Sequence, residues 1–311
     1  MVDRSQDQLV NAEGCMRIRI DAHHHFWHYS SEEYGWIDDS MGALRRDFLP
    51  AELAFELKNT GTDGVVSVQA RQSLEETRWL LELAEAQTDA ERWILGVVGW
   101  APLASSKFPA VLEELRRHRL LKGLRHVLQA EPDDYMLRAA FNEGIAAVGR
   151  AGLVYDVLVV NHMLPRVIEM VDRHPNQIFV LDHMAKPLIA TGALKPWSNQ
   201  MRELAKREHV YCKVSGLVTE AAWQTWTTDD LRPYFDIGLE AFGPQLLLAG
   251  SDWPVCTVAS SYERWFATLD LLLSALTASE KDLIFGVVAA NVYQLGARLD
   301  SYPKTERWTS S

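Results

Sequence analysis

Short runs of β-prone apolar residues alternate with longer stretches that place apolar residues every three or four positions, from one end of the chain to the other. The first kind reads as a buried strand and the second as a helix with one apolar face. Strands are expected near Arg17–Asp21, Gly64–Gln69, Ile94–Val98, Leu121–Arg125, Leu153–Val159, Ile178–Leu181, Val210–Val214 and Leu246–Ala249. Between them, Glu75–Ala86, Ala110–Arg117, Tyr135–Arg150, Leu164–Arg173 and Tyr262–Ser274 read as outer helices. About eight such units in strand–helix order predict an α/β fold, a parallel (β/α)₈ TIM barrel.

No Pro/Gly/Ser linker and no low-complexity segment divides the chain. Its 311 residues fit one barrel domain over residues 16–300, with polar tails at 1–15 and 301–311. One long loop follows strand one, roughly Phe26 to Pro50, and Trp27, Trp36 and Phe48 mark it as ordered rather than a linker.

A hydrophobic content of 48% supplies a large core, and a formal net charge of -11 excludes a general nucleic-acid partner, which needs concentrated Lys and Arg. The three cysteines, Cys15, Cys212 and Cys256, are odd in number and show no CxxC spacing, so neither a disulfide framework nor a zinc ribbon is expected. The polar N-terminus MVDRSQDQLVNAEG lacks the apolar stretch of a signal peptide, and no run reaches membrane-span length. A soluble cytoplasmic protein is expected, with no membrane partner. Homo-oligomerisation is compatible with the helical faces, although no stripe specifies it.

Polar residues recur just after expected strands, the end of a barrel that holds the active site. His23 and His25 follow RIRIDA and, two apart on an extended chain, point to the same side, where they can chelate a metal or cradle a water; the competing reading is a polar loop. FVLDHMAKP places Asp182, His183 and Lys186 after strand six, to face an anion or carbonyl or to form a structural ion pair. LLLAGSDWP places Asp252 after strand eight, as metal ligand, general base or helix N-cap. Arg125 and His126 follow strand four, Lys213 and Ser215 strand seven, and Gln69 strand two, each a weaker signal. Asp156 within strand five reads as core. Trp27, Trp36 and Trp253 lie near the expected mouth, where indole faces can pack on sugar-ring C–H bonds.

The segments DAHHHFW, YGWIDDSMGALRRDFLP, GLRHVLQ, LDHMAKP, KVSGL and AGSDWP, in this order from about Ile18 to Leu299, resemble the amidohydrolase-superfamily group of sugar-acid lactonases. The resemblance implies a hydrolase that opens an aldonolactone of the L-fucono or L-rhamnono type by water attack. It implies that His23, His25, His183 and Asp252 are the metal-site residues, with Asp252 the general base that then returns the proton to the ring oxygen. Arg125, Lys186 and His126 match positions expected to hold the lactone carbonyl, and Trp27, Trp36, Gln69, Lys213 and Trp253 are expected to contact the substrate. The chain departs from binuclear members by carrying Lys213 in place of a second later-strand histidine, and His24 stands where the group has glutamine. Two cofactor readings stand: one divalent ion, zinc before others, or the same residues orienting water with no ion needed for turnover. The alternatives are a lactonase acting on a pyrone dicarboxylate or muconolactone, a metal-dependent decarboxylase, and a sugar-acid-binding barrel without turnover.

Overall fold

The computed structural model describes residues 18–296; the two expected tails and Cys15 lie outside them. Eight strands run parallel in chain order: β1 (Ile20–His24), β2 (Gly64–Val68), β3 (Ile94–Gly99), β4 (Leu121–Val127), β5 (Val154–Leu158), β6 (Phe179–Leu181), β7 (Val210–Val214) and β8 (Leu247–Ala249). Nearly every strand residue is buried, because helices cover the outer face and side chains fill the inside. The helices between successive strands are α1 (Pro50–Thr60), α2 (Leu74–Glu85), α3 (Phe108–Leu115), α4 (Ala139–Arg150), α5 (Leu164–Asp172), α6 (Trp197–Leu204) and α7 (Thr228–Phe242). After β8 comes α8 (Tyr262–Leu272), then a helical run from Ala278 to Val292 interrupted by a π-helical turn at Leu283–Val287. The protein is a single-domain (β/α)₈ TIM barrel. No helix among the described residues is long and apolar enough to cross a membrane.

The first strand differs from expectation. It begins at Ile20, three residues later than expected, and contains His23 and His24 instead of ending before them. Their polarity disguised them as loop. His24 points into the wall, where its Nε2 meets Ser67 Oγ at 2.8 Å and its ring lies edge-on to Phe26.

The barrel closes between β1 and the turn after β8. Asp252 N–H donates to His23 O at 2.8 Å and His25 N–H donates to Trp253 O at 2.7 Å. Asp21 locks this seam, since its buried carboxylate accepts from Ser251 N–H (2.8 Å), Ser251 Oγ (2.6 Å), His23 N–H (3.1 Å) and Tyr262 OH (3.1 Å). Burial pushes the Asp21 pKa up to about 6, against these four bonds, so the group is ionised at neutral pH.

The long loop after β1 is ordered, as its aromatic content predicts. Trp27 and Phe48 exchange backbone hydrogen bonds at 3.1 and 3.0 Å, and Trp27 Nε1 donates to Arg46 O at 2.9 Å. Phe48, Tyr34 and Trp36 pack around the Trp27 indole.

Asp21→Asn keeps the volume of the seam residue but turns an acceptor oxygen into a donor facing buried donors. Urea unfolding should show a loss of about 3 kcal/mol; a loss below about 0.5 kcal/mol would mean that the seam is held elsewhere.

Candidate active site

A cavity of about 540 Å³ opens at the C-terminal end of the strands. His25, Trp36, Arg125, His183, Lys186 and Asp252 line it, joined by Arg71, Gln72 and Glu220. The seam hydrogen bonds place Asp252 beside the β1 histidines. Its Oδ1 lies 3.4 Å from His25 Nε2, 3.7 Å from His23 Nε2 and 3.8 Å from His183 Nε2, and the two Nε2 atoms of β1 are 3.2 Å apart. Asp252 itself adopts a left-handed backbone (φ +59°), held by the seam bonds on either side. Gly250 lets the turn close on β1, because a Cβ there would sit 2.9 Å from His23 Cβ.

His183 and Lys186 reach the cavity from an unusual turn. Residues His183, Met184, Ala185 and Lys186 all have φ between +51° and +58°. Left-handed backbone costs non-glycine residues roughly 1–2 kcal/mol each, so the turn depends on its ties. Trp197 Nε1 donates to Met184 O at 2.8 Å, Asn161 Nδ2 donates to Lys186 O at 3.0 Å, and His183 Nδ1 meets Ser215 Oγ at 2.9 Å. Gly216 (φ +66°) leaves room for the ring, since a Cβ there would lie 2.7 Å from His183 Nδ1.

Beneath the cavity floor lies a buried charge network. Asp182 takes Arg125 Nη1 at 2.9 Å and Lys213 Nζ at 3.1 Å, and lies 3.3 Å from His23 Nδ1. Lys213 also pairs with Asp156, whose two oxygens accept from Tyr293 OH at 2.9 Å. Burial alone would raise Asp182, but Lys213, His23 and Arg125 hold it well below the usual carboxylate range. Burial drives His23 well below its ordinary pKa and His183 down to about 4, so both rings are neutral at pH 7. Burial would also raise Asp252; His183, His25 and Lys186 outweigh it and leave the carboxylate below its ordinary value, hence ionised.

These contacts bear on the metal question. His25 Nδ1 meets Val68 O at 2.8 Å and carries a proton toward that carbonyl, which directs Nε2 at His23 Nε2. Ligand atoms about 2.0–2.1 Å from a tetrahedral zinc stand roughly 3.3 Å apart. The His23, His25 and Asp252 donors, at 3.2 to 3.7 Å, fit one ion, with His183 at the margin. Arg125 Nη1 also lies 3.3 Å from His23 Nε2 and can donate to a lone pair on that nitrogen. Among the described residues a second trio of donors, His23, Asp182 and His183, also lies close together, but it shares His23 with the first and its Asp182 is already paired with Lys213 and Arg125.

Not all expected residues reach the cavity. Lys213 is fully buried between Asp156 and Asp182, so it is not available to substrate as expected. His126 is turned into the wall, with Nδ1 accepting from Trp100 Nε1 at 3.3 Å and Nε2 on Glu131 at 2.9 Å, and it does not line the cavity. Trp27 and Trp253 are buried in the aromatic cluster behind the wall, which leaves Trp36 as the indole on the cavity. Gln69 is buried too; its backbone carbonyl accepts from Arg125 Nη2, and its side chain does not line the cavity. Two charged residues escaped the sequence reading. Arg71 follows β2 and pairs with Glu33 of the long loop, and Glu220 ends a 3₁₀ turn after β7. Their position after strands was the available signal.

Residues 20–295 match the family described as Amidohydrolase. The chain is 41% identical to an L-fucono-1,5-lactonase of Burkholderia multivorans over 91% of this chain and 98% of that one. It is 34% identical to an L-fucono-1,5-lactonase of Burkholderia ambifaria, over 90% and 97%. A crystal structure of an amidohydrolase from Burkholderia multivorans with bound zinc superposes with a TM-score of 0.86 at 40% identity, covering 90% of this chain and all of that one. With its barrel, its His-x-His strand and its aspartate after β8, the chain belongs to the amidohydrolase family.

Proposed function

We propose that the protein hydrolyses the intramolecular ester of a sugar acid, an aldonolactone of the L-fucono-1,5-lactone kind on which its relatives are named to act. The observation that carries this reading is the ionised Asp252 carboxylate set among neutral imidazoles in a cavity that also holds Arg125 and Lys186. A water between Asp252 and the histidines gives a proton to the carboxylate as its oxygen attacks the lactone carbonyl. Arg125 and Lys186 stabilise the oxyanion that develops. Asp252 is a weak base, yet a strained ester with cations at its carbonyl needs less activation than an amide. His183, neutral and tied to Ser215, positions the water.

A divalent ion held by His23, His25 and Asp252, with His183 beside them, supplies Lewis acidity and a more acidic water when bound. Zinc matches these nitrogen and oxygen donors. The Arg125 contact to His23 Nε2 supports the reading that turnover does not require it.

Charge balance selects among substrates. Arg71 is matched by Glu33 and Arg125 by Asp182, while Lys186 shares the cavity with two carboxylates, Asp252 and Glu220. A neutral polyhydroxy ring stacked on Trp36 suits that balance, whereas a pyrone dicarboxylate would bring two further negative charges. The buried thiols Cys212 and Cys256, both unpaired, agree with a reducing compartment, and we place the reaction in the cytoplasm.

A pH-indicator assay over aldonolactones and 2-pyrone-4,6-dicarboxylate should show kcat/KM at least about 100-fold higher for the best aldonolactone, a gap of ~2.7 kcal/mol in transition-state binding. Chelator should change kcat by less than about 3-fold; loss of turnover restored by zinc would assign the ion an obligatory role. Hydrolysis of none of the lactones, with binding retained, would make the barrel a sugar-acid-binding protein. In Asp252→Asn, kcat should fall about 10²–10⁴-fold with KM little changed. Because the folded Asp252 pKa lies below 3.8, the base form persists above that value. The acid limb of the wild-type profile should therefore lie below about pH 4; a limb centred near pH 6 would contradict Asp252 as the base.

A further inference from the structure

Arg71 stands on the cavity wall inside a clasp that joins two loops. It follows β2, and the long loop after β1 folds against it. Its Nη1 pairs with Glu33, its Nε lies 4.0 Å from Glu76 Oε1, and its guanidinium carbon is 5.7 Å from the centre of the Tyr34 ring. Tyr34 OH donates to the same Glu76 Oε1 at 3.2 Å. The other oxygen, Glu76 Oε2, accepts the backbone N–H groups of Ala70 and Arg71, both at 3.0 Å.

Glu76 stands three residues after Ser73, the N-cap of α2, which is the spacing of a capping box. Its carboxylate instead reaches the loop donors. A buried carboxylate is costly unless partners satisfy it, and these partners come from both loops that wall the cavity. Tyr34 is two residues before Trp36, and Ala70 and Arg71 are themselves wall residues.

Charge matching decides what Arg71 can bind. With one carboxylate on Nη1 and another beside Nε, the guanidinium has little positive charge to spare for a substrate carboxylate. Among the described residues its Nη2 makes no hydrogen bond and remains a donor. A neutral hydroxyl suits such a donor.

We propose that Arg71 binds a ring hydroxyl of the aldonolactone and that Glu76 is the positioning residue that holds Arg71 for it, an inference that rests on the lactonase reading above. The carbonyl end of the ring lies at Asp252, Arg125 and Lys186, and the hydroxyl-bearing edge lies at Arg71. One set of residues opens the ester and another chooses the ring. A site built to hydrogen-bond a hydroxyl discriminates against the analogue that lacks it.

The test compares an aldonolactone with δ-valerolactone, which keeps a six-membered cyclic ester and lacks the ring hydroxyls. In Arg71→Met, kcat/KM for the aldonolactone should fall about 30-fold, mostly through KM, and the fall for δ-valerolactone should be at least ~10-fold smaller. Glu76→Gln should lower aldonolactone kcat/KM by ~10-fold with the same substrate dependence. Added to Arg71→Met it should cost less than about 2-fold more, because its effect passes through Arg71. Retained δ-valerolactone turnover shows that the variants are folded and that Asp252 still works. Equal losses on the two lactones would overturn the hydroxyl assignment, and losses that multiply in the double variant would overturn the role of Glu76. Wild-type protein that opens neither lactone would overturn the lactonase reading, whereas wild-type protein that opens both equally well would leave that reading standing and overturn this inference alone.

Discussion

Everything at the mouth of this barrel depends on how its sheet closes. The β1–β8 seam is made not by the strands alone but by the turn that follows β8, whose Asp252 and Trp253 backbone groups bond to His23 and His25. A closed parallel barrel has no free edge, so the register across the seam is set by these bonds and by the Asp21 carboxylate. The same bonds place the Asp252 carboxylate within 3.8 Å of three imidazoles. Fold closure and site assembly are one event. Gly250 permits the approach, and the left-handed Asp252 aims its side chain along it.

A network of buried charges lies behind the site. Two cations, Arg125 and Lys213, sit against two anions, Asp156 and Asp182, with Tyr293 and the Gln69 carbonyl completing the hydrogen bonding. Such a network is worth little to stability compared with apolar packing, but removing one partner would strand a charge in the core. His23 lies against both Asp182, which favours its charged form, and Lys213, which opposes it, and burial keeps the ring neutral. Neutral rings leave lone pairs for an ion or for Arg125, and they leave Asp252 as the anion on the cavity wall.

The fold was legible because the strand runs are apolar and evenly spaced; Val210–Val214 matches its expected range and most others fall within one or two residues. The first strand was displaced because two histidines inside it look like the start of a loop. At the site, His-x-His, His183, Arg125, Lys186 and Asp252 were visible as polar residues after apolar runs. What sequence could not convey is direction. Lys213 and His126 follow strands just as Arg125 does, but their side chains are taken by Asp156 and Glu131 before they reach the cavity. The four left-handed residues at His183–Lys186 contain no glycine, so the turn that delivers His183 and Lys186 had no composition signal. Arg71 and Glu220 lacked any local motif, and only the barrel brings them to one cavity.

The central claim is that the seam builds a site in which Asp252 faces the lactone carbonyl. A crystal structure of Asp252→Asn bound to an unopened aldonolactone tests it most directly. The account predicts the carbonyl carbon about 3–3.5 Å from a water held by residue 252, and the carbonyl oxygen on Arg125 and Lys186. A lactone bound outside this cavity, or with its carbonyl turned away from residue 252, would contradict it.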